Sequence, residues 1–84
     1  MSKTVTVYST TTCGYCQAAK DFLKANNVEY NEVDVGANQD KAREMIEKSG
    51  QMGVPVIIID DNSNEEIIIG FDQNRLTQSL NLQA

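Results

Sequence analysis

Two cysteines with two residues between them constrain this chain more than any other feature of its sequence. Cys13-Gly14-Tyr15-Cys16 contains the only cysteines of the 84 residues, and it lies where a short strand pattern gives way to a helical one. This spacing at the start of a helix brings two sulfurs within bonding reach of each other. The N-terminus of a helix also favours negative charge, which lowers the pKa of a thiol placed there. The pair is therefore typical of a site that forms, breaks and transfers disulfides.

The composition excludes several other kinds of site. The chain has no histidine, which rules out Cys–His and Ser–His catalysis and histidine zinc sites. One cysteine pair supplies only half of a four-ligand zinc site, so we expect no metal site within the chain. A net charge of −5 makes nucleic acid and anionic membranes poor partners. No apolar run approaches the length of a membrane span, and the first residues carry no leader pattern, so we expect a cytoplasmic protein.

The order of the elements predicts a single small α/β domain over residues 1–84. Residues 4–8 alternate valine with other residues and predict a strand, and residues 14–25 carry apolar side chains at helical spacing. The rest of the chain predicts, in turn, a strand, a helix, two strands and a final helix, at 29–35, 39–49, 54–59, 66–69 and after Asp72. Helices between the early strands imply parallel pairing, and the turn at 60–64 implies an antiparallel hairpin. This β-α-β-α-β-β-α order, a four-stranded mixed sheet flanked by three helices, is the thioredoxin fold in its minimal form.

Three motifs, in the right order, resemble those of the glutaredoxins. They are Cys13-Gly14-Tyr15-Cys16 after the first strand, Gly53-Val54-Pro55 before the third, and Gly70-Phe71-Asp72 after the fourth. The resemblance implies a cis bond between Val54 and Pro55, which leaves the neighbouring backbone free to pair with an incoming peptide. It also implies a thiol–disulfide oxidoreductase that takes its electrons from glutathione and holds no permanently bound cofactor.

The position of each cysteine predicts its role in such a reaction. Cys13 precedes the helix and lies nearest its free N–H groups, so we expect it to be the more exposed thiol and the nucleophile. Cys16 lies one turn into the helix, and we expect it to be buried and to resolve a mixed disulfide between Cys13 and a protein. The substrates implied are protein disulfides and glutathione mixed disulfides. Lys20, one turn further along, is expected to be a solvated helix residue.

The resemblance also implies contacts for glutathione and a set of partners. The contact residues implied are Tyr15, Val54, Pro55, Gly70, Phe71 and Asp72. Asp72 suits the N-cap of the last helix as well. The clients implied by the family include ribonucleotide reductase, peroxidases and methionine sulfoxide reductases, and we expect the protein to be a monomer.

Departures from the family pattern leave two alternatives open. Thr10 stands where many glutaredoxins carry a lysine, Ala42 lies nearest the place of a basic or amide residue, and Phe71 replaces a second glycine. These changes make the chain similar also to glutaredoxin-like proteins that thioredoxin reductase reduces. Gly14 stands in place of the usual proline. In the family, a small residue at this position accompanies the ability of two subunits to share an iron–sulfur cluster, so a glutathione-dependent cluster carrier is the other alternative.

Overall fold

A four-stranded sheet with helices on both faces forms the described part of the chain. The computed structural model describes residues 3–61 and 64–81. The elements are β1 Thr4–Ser9, α1 Gly14–Ala25, β2 Asn31–Asp34, α2 Gln39–Ser49, β3 Val56–Asp60, β4 Glu65–Ile69 and α3 Gln73–Ser79. The strands lie side by side in the order β2-β1-β3-β4. Because β1 and β2 are parallel, while β3 is antiparallel to both β1 and β4, the predicted mixed sheet is confirmed.

The central strand β3 is buried on both faces, as its unbroken run of β-branched residues predicts. Residues 56–59 are all buried, and their side chains alternate between two apolar clusters. Ile57 and Ile59 belong to the cluster that contains residues of α1 and α3. Val56 and Ile58 belong to the other, which contains Met45 of α2. The strand therefore fixes the two helical layers relative to each other.

A hydrogen bond ties α2 to its face of the sheet. The Tyr8 hydroxyl donates to Oε2 of Glu44 over 2.6 Å, beside the buried side chain of Met45. Burial, followed by the hydrogen bond to Glu44, raises the pKa of Tyr8 to about 12. The phenol therefore stays protonated and keeps donating to the carboxylate throughout the neutral range.

Local signals account for the ends of the helices. The Asn38 side chain accepts the Lys41 N–H over 3.2 Å at the start of α2. Gly50 ends α2 in the left-handed region, with φ 73°, as expected of a glycine that follows a helix. None of the helices in the described ranges is long and apolar enough to cross a membrane.

Every strand differs from its predicted bounds, β1 and β4 by one residue and β2 and β3 by more. β2 is shorter than the predicted 29–35, because it is an edge strand that, among the described residues, pairs with the last four residues of β1 alone. β3 begins at Val56 rather than at 54, because Pro55 has no N–H to donate to a neighbouring strand. The predicted turn at 60–64 falls partly outside the described residues, at 62 and 63.

The packing of β3 predicts a large difference between two isoleucines in neighbouring strands. Ile57 is fully buried, whereas Ile69 is 51% exposed. We expect Ile57→Ala to lower the free energy of unfolding by about 2–5 kcal/mol, because it leaves a cavity between the sheet and two helices. Ile57→Val should cost about 0.5–1.5 kcal/mol.

The measurement is equilibrium unfolding in urea, with Ile69→Ala as the control. The exposed Ile69 has little to lose on truncation, so we expect its variant to stay within about 1 kcal/mol of the parent. Equal losses for the Ile57→Ala and Ile69→Ala variants would contradict the assignment of β3 as the centre of the core.

Candidate redox site

The two cysteines lie at the start of α1 and are joined by a disulfide. Their Cα atoms are 5.2 Å apart. Cys13 is the N-cap of the helix, and its Sγ accepts the backbone N–H of Cys16 over 3.1 Å. A side-chain oxygen normally accepts this N–H at a helix start, so the sulfur takes the place of a capping group. The sequence places both cysteines correctly because the strand-to-helix transition is a local signal.

The two sulfurs differ in their access to solvent. Cys16 is fully buried, with 0% of its surface exposed, whereas Cys13 is half-buried. Gly14 and Tyr15, which follow Cys13, are both exposed, and the Tyr15 side chain is 73% exposed. Of the two cysteines, Cys13 is therefore the one accessible from solvent.

The segment before β3 lies against Cys13. The Sγ of Cys13 is 3.8 Å from the carbonyl oxygen of Val54, although 41 residues separate the two in the chain. The bond between Val54 and Pro55 is cis, as predicted. The Gly70 N–H donates to the Pro55 carbonyl oxygen over 2.8 Å, and Gly70 has φ 78°, a conformation that favours glycine. The tertiary structure thus brings Cys13, Val54, Pro55 and Gly70 together.

Phe71 and Asp72 have structural partners within the protein. The Phe71 ring meets the ring of Phe22 edge-on, with centroids 5.9 Å apart, and packs against the core. Oδ1 of Asp72 accepts the Arg75 N–H over 3.0 Å and caps α3, which confirms the predicted N-cap. Their contacts with glutathione stay a prediction, as do those of Tyr15, Val54, Pro55 and Gly70.

An exposed apolar side chain lies in the loop that leads to Val54. Met52 is 82% exposed, three residues before Pro55. Together with Tyr15, it leaves apolar surface uncovered in the two segments that meet at Cys13. Sequence reasoning missed Met52, because a methionine in a loop gives no signal of its own.

A polar hollow lies beside Cys13 and contains an ion pair. Its walls are formed by the hydroxyl residues at 10–12, Cys13, Gln17, Lys20 and Glu32. Nζ of Lys20 is 2.7 Å from Oε2 of Glu32, and only 14% of the Lys20 side chain is exposed. The prediction that Lys20 is a solvated helix residue is therefore wrong, because β2 supplies a carboxylate at this place. Sequence reasoning missed Glu32.

The ion pair is charged on both sides at neutral pH. The hydrogen bond between the two groups raises the pKa of the Lys20 ammonium above its usual value. The same bond is the main reason that the pKa of the Glu32 carboxyl falls below its usual value. A sequence signal existed for Lys20 alone: it lies seven positions after Cys13, on the same face of α1.

Comparison with known proteins points to one family. The glutaredoxin family model matches residues 5–63, which include both cysteines and Pro55. The chain is 41% identical over 69 residues to a glutaredoxin-like 8.6 kDa protein of the rubredoxin operon of Clostridium pasteurianum, covering 82% of this chain and 87% of that protein. It is 41% identical over 56 residues to glutaredoxin 3 of Escherichia coli K12, covering 67% of this chain and 68% of that protein.

A solved structure has the same fold. A mutant of the thioredoxin-like protein BC3987 superposes with a TM-score of 0.84 at 32% sequence identity. The superposition covers 94% of this chain and 96% of that one. The predicted thioredoxin fold is confirmed.

The unequal burial of the sulfurs predicts unequal reactivity in the reduced protein. We expect iodoacetamide to alkylate Cys13 at least about tenfold faster than Cys16, because Cys13 is accessible and lies at the helix N-terminus. The Cys16→Ser variant reports on Cys13 alone, and the Cys13→Ser variant on Cys16 alone. Mass spectrometry of quenched time points gives both rates, and equal rates, or a faster Cys16, would contradict the assignment.

Proposed function

Because the chain belongs to the glutaredoxin family, and is a redox protein with a cysteine pair, we propose that it reduces protein disulfides and mixed disulfides between proteins and glutathione. One observation carries the proposal. The accessible Sγ of Cys13 caps α1 and accepts the N–H of Cys16 over 3.1 Å. In the reduced protein, the same donor and the positive end of the helix favour the thiolate at Cys13.

The reaction follows from the two positions. The Cys13 thiolate attacks one sulfur of the substrate disulfide; a mixed disulfide forms, and the other substrate sulfur leaves as a thiolate that takes up a proton. The Cys16 thiol then loses its proton and attacks Sγ of Cys13. The substrate's second sulfur leaves as a thiolate, and the Cys13–Cys16 disulfide remains. Two electrons have moved from the protein to the substrate, and an external thiol or reductase must return them.

Glutathione is the first candidate for this reductant. Its cysteine sulfur would bond to Cys13, and its backbone would pair with that of Val54, whose carbonyl oxygen lies 3.8 Å from Sγ of Cys13. The exposed Tyr15 ring would pack over the peptide. Gly70 and the segment of Phe71 and Asp72 would hold its γ-glutamyl end.

A specific observation favours thioredoxin reductase as the second candidate. Glutathione carries two carboxylates, and cations beside the cysteine would hold them. Thr10 lines the hollow next to Cys13 and offers a hydroxyl where many glutaredoxins carry a lysine. The Lys20 ammonium in the same hollow already bonds Glu32. A reductase that recognises the protein surface does not need a free cation at this place.

Coupled assays with NADPH and a small disulfide separate the two electron donors. One arm contains glutathione and glutathione reductase, and the other contains thioredoxin reductase alone. Turnover in the first arm only supports glutathione, and turnover in the second arm only supports the second candidate. If neither arm turns over, and the pre-reduced protein also leaves the disulfide intact, the proposed function is wrong.

The cysteine variants test the two roles in the same assays. We expect Cys13→Ser to lower activity at least about 100-fold, because it removes the attacking sulfur. Cys16→Ser should lose most of the activity on a protein disulfide and keep part of the activity on a glutathione mixed disulfide, since glutathione itself can resolve that intermediate. Retained activity in the Cys13→Ser variant would show that the chemistry lies elsewhere in the chain.

A further inference from the structure

Most of the side chains that line the hollow beside Cys13 are polar. Threonine hydroxyls, the Gln17 side chain and the Lys20–Glu32 pair surround it, and Cys13 lies at its edge. Its walls come from the β1–α1 loop, from α1 and from β2. The segment of Val54 and Pro55 instead leads into β3, which lies on the other side of β1 in the sheet. The hollow is therefore open to groups that flank a disulfide bound at Cys13 on its β2 side.

Two side chains hold Glu32 in place. Its Oε2 accepts a hydrogen bond from Lys20 Nζ over 2.7 Å and another from Ser9 Oγ over 3.2 Å. Ser9 is 1% exposed and belongs to β1, so the carboxylate is anchored from the sheet as well as from α1. The Lys20 side chain is 14% exposed and the Glu32 side chain 46% exposed, so solvent screens the attraction between them in part.

The charges of the hollow cancel. Among the described residues that line it, Lys20 is the only cation and Glu32 the only anion. An anionic group entering the hollow would have to compete with Glu32 for the ammonium, and a cationic group would have to compete with Lys20 for the carboxylate. Each kind of group therefore gains less electrostatic attraction here than it would beside a single unpaired charge.

We propose that Glu32 is a specificity-determining residue, which neutralises Lys20 beside Cys13 and so directs the protein toward disulfides flanked by uncharged groups. This inference rests on the proposed activity on protein disulfides. Glutathione mixed disulfides, whose peptide carries two carboxylates, gain no net charge attraction from this hollow. Glu32 contacts no reacting atom and takes no part in the exchange of sulfurs. It acts on the substrate through Lys20, and the readout that reports its role is the dependence of the rate on substrate charge.

Three small disulfides of different charge test the proposal. They are bis(2-hydroxyethyl) disulfide, which is neutral, dithiodiglycolate, which is a dianion, and cystamine, which is a dication. The pre-reduced protein is mixed with each in excess, quenched with acid and alkylated, and mass spectrometry gives the rate of its oxidation. For each variant, the rate with the dianion and the rate with the dication are divided by the rate with the neutral disulfide. These two quotients, the dianion ratio and the dication ratio, are independent of any general change in reactivity.

The variants shift the charge ratios in opposite directions. We expect Glu32→Gln to raise the dianion ratio about three- to fivefold and to lower the dication ratio by a similar factor, since Lys20 is then unpaired. Lys20→Gln should do the reverse, because it leaves Glu32 without its cation and with only the Ser9 hydroxyl as a partner. The double variant should return both ratios to within about twofold of the parent, and the shifts should shrink in 1 M salt, where the Debye length is about 3 Å.

Glu29→Gln is the matched control. It makes the same change in net charge, but Glu29 lines a separate hollow formed with the beginning of β1 and the end of α1. Its ratios should equal those of the parent. Equal shifts in the Glu32→Gln and Glu29→Gln variants, or unchanged ratios in Glu32→Gln with a normal neutral rate, would overturn the role of Glu32 alone. A parent protein that leaves the neutral disulfide intact would overturn the proposed function, and this inference with it.

Discussion

The hydrogen bond from the Cys16 N–H to Sγ of Cys13 is the interaction on which the redox site depends. The first turn of a helix has N–H groups without partners, and a capping side chain has to accept one of them. Here the capping atom is the reactive sulfur itself. The same bond therefore starts α1, orients Cys13 and provides a donor for negative charge on sulfur. Cys16 follows one turn later on the buried face of the helix, so the two sulfurs meet although their exposure differs.

The second constraint is the burial of β3 between two apolar clusters. This strand pairs with β1 on one side and with β4 on the other. Because β1 leads into the cysteine loop, the pairing of Tyr8 with Val56 puts the start of β3 next to Cys13. The pairing of Val56 with Ile69 puts Gly70 next to Pro55 in the same way. The packing of the core thus determines which backbone groups lie near the sulfur of Cys13.

Few charged side chains line the hollow beside Cys13. The protein carries a net charge of −5, yet the described residues that line the hollow beside Cys13 carry one charge of each sign, joined over 2.7 Å. An unpaired cation would attract anionic thiols and would also stabilise a nearby thiolate relative to its thiol. Glu32 reduces both effects. Under the proposed mechanism, activation of Cys13 therefore depends more on the helix terminus than on neighbouring side chains.

The sequence alone determined the features that depend on neighbouring residues. The bounds of α1 and α2, the cap at Asp72, the glycine after α2 and the position of the cysteine pair all follow from apolar spacing and from residues within one turn. The parallel pairing of β1 with β2 and the antiparallel hairpin of β3 and β4 also followed, because the lengths of the connections restrict how strands can pair. Only the tertiary structure decided the contact of Val54 with Cys13, across 41 residues, and the pairing of Lys20 with Glu32, across 12. Such contacts depend on strand register and on how a helix is rotated over the sheet, which no local pattern encodes.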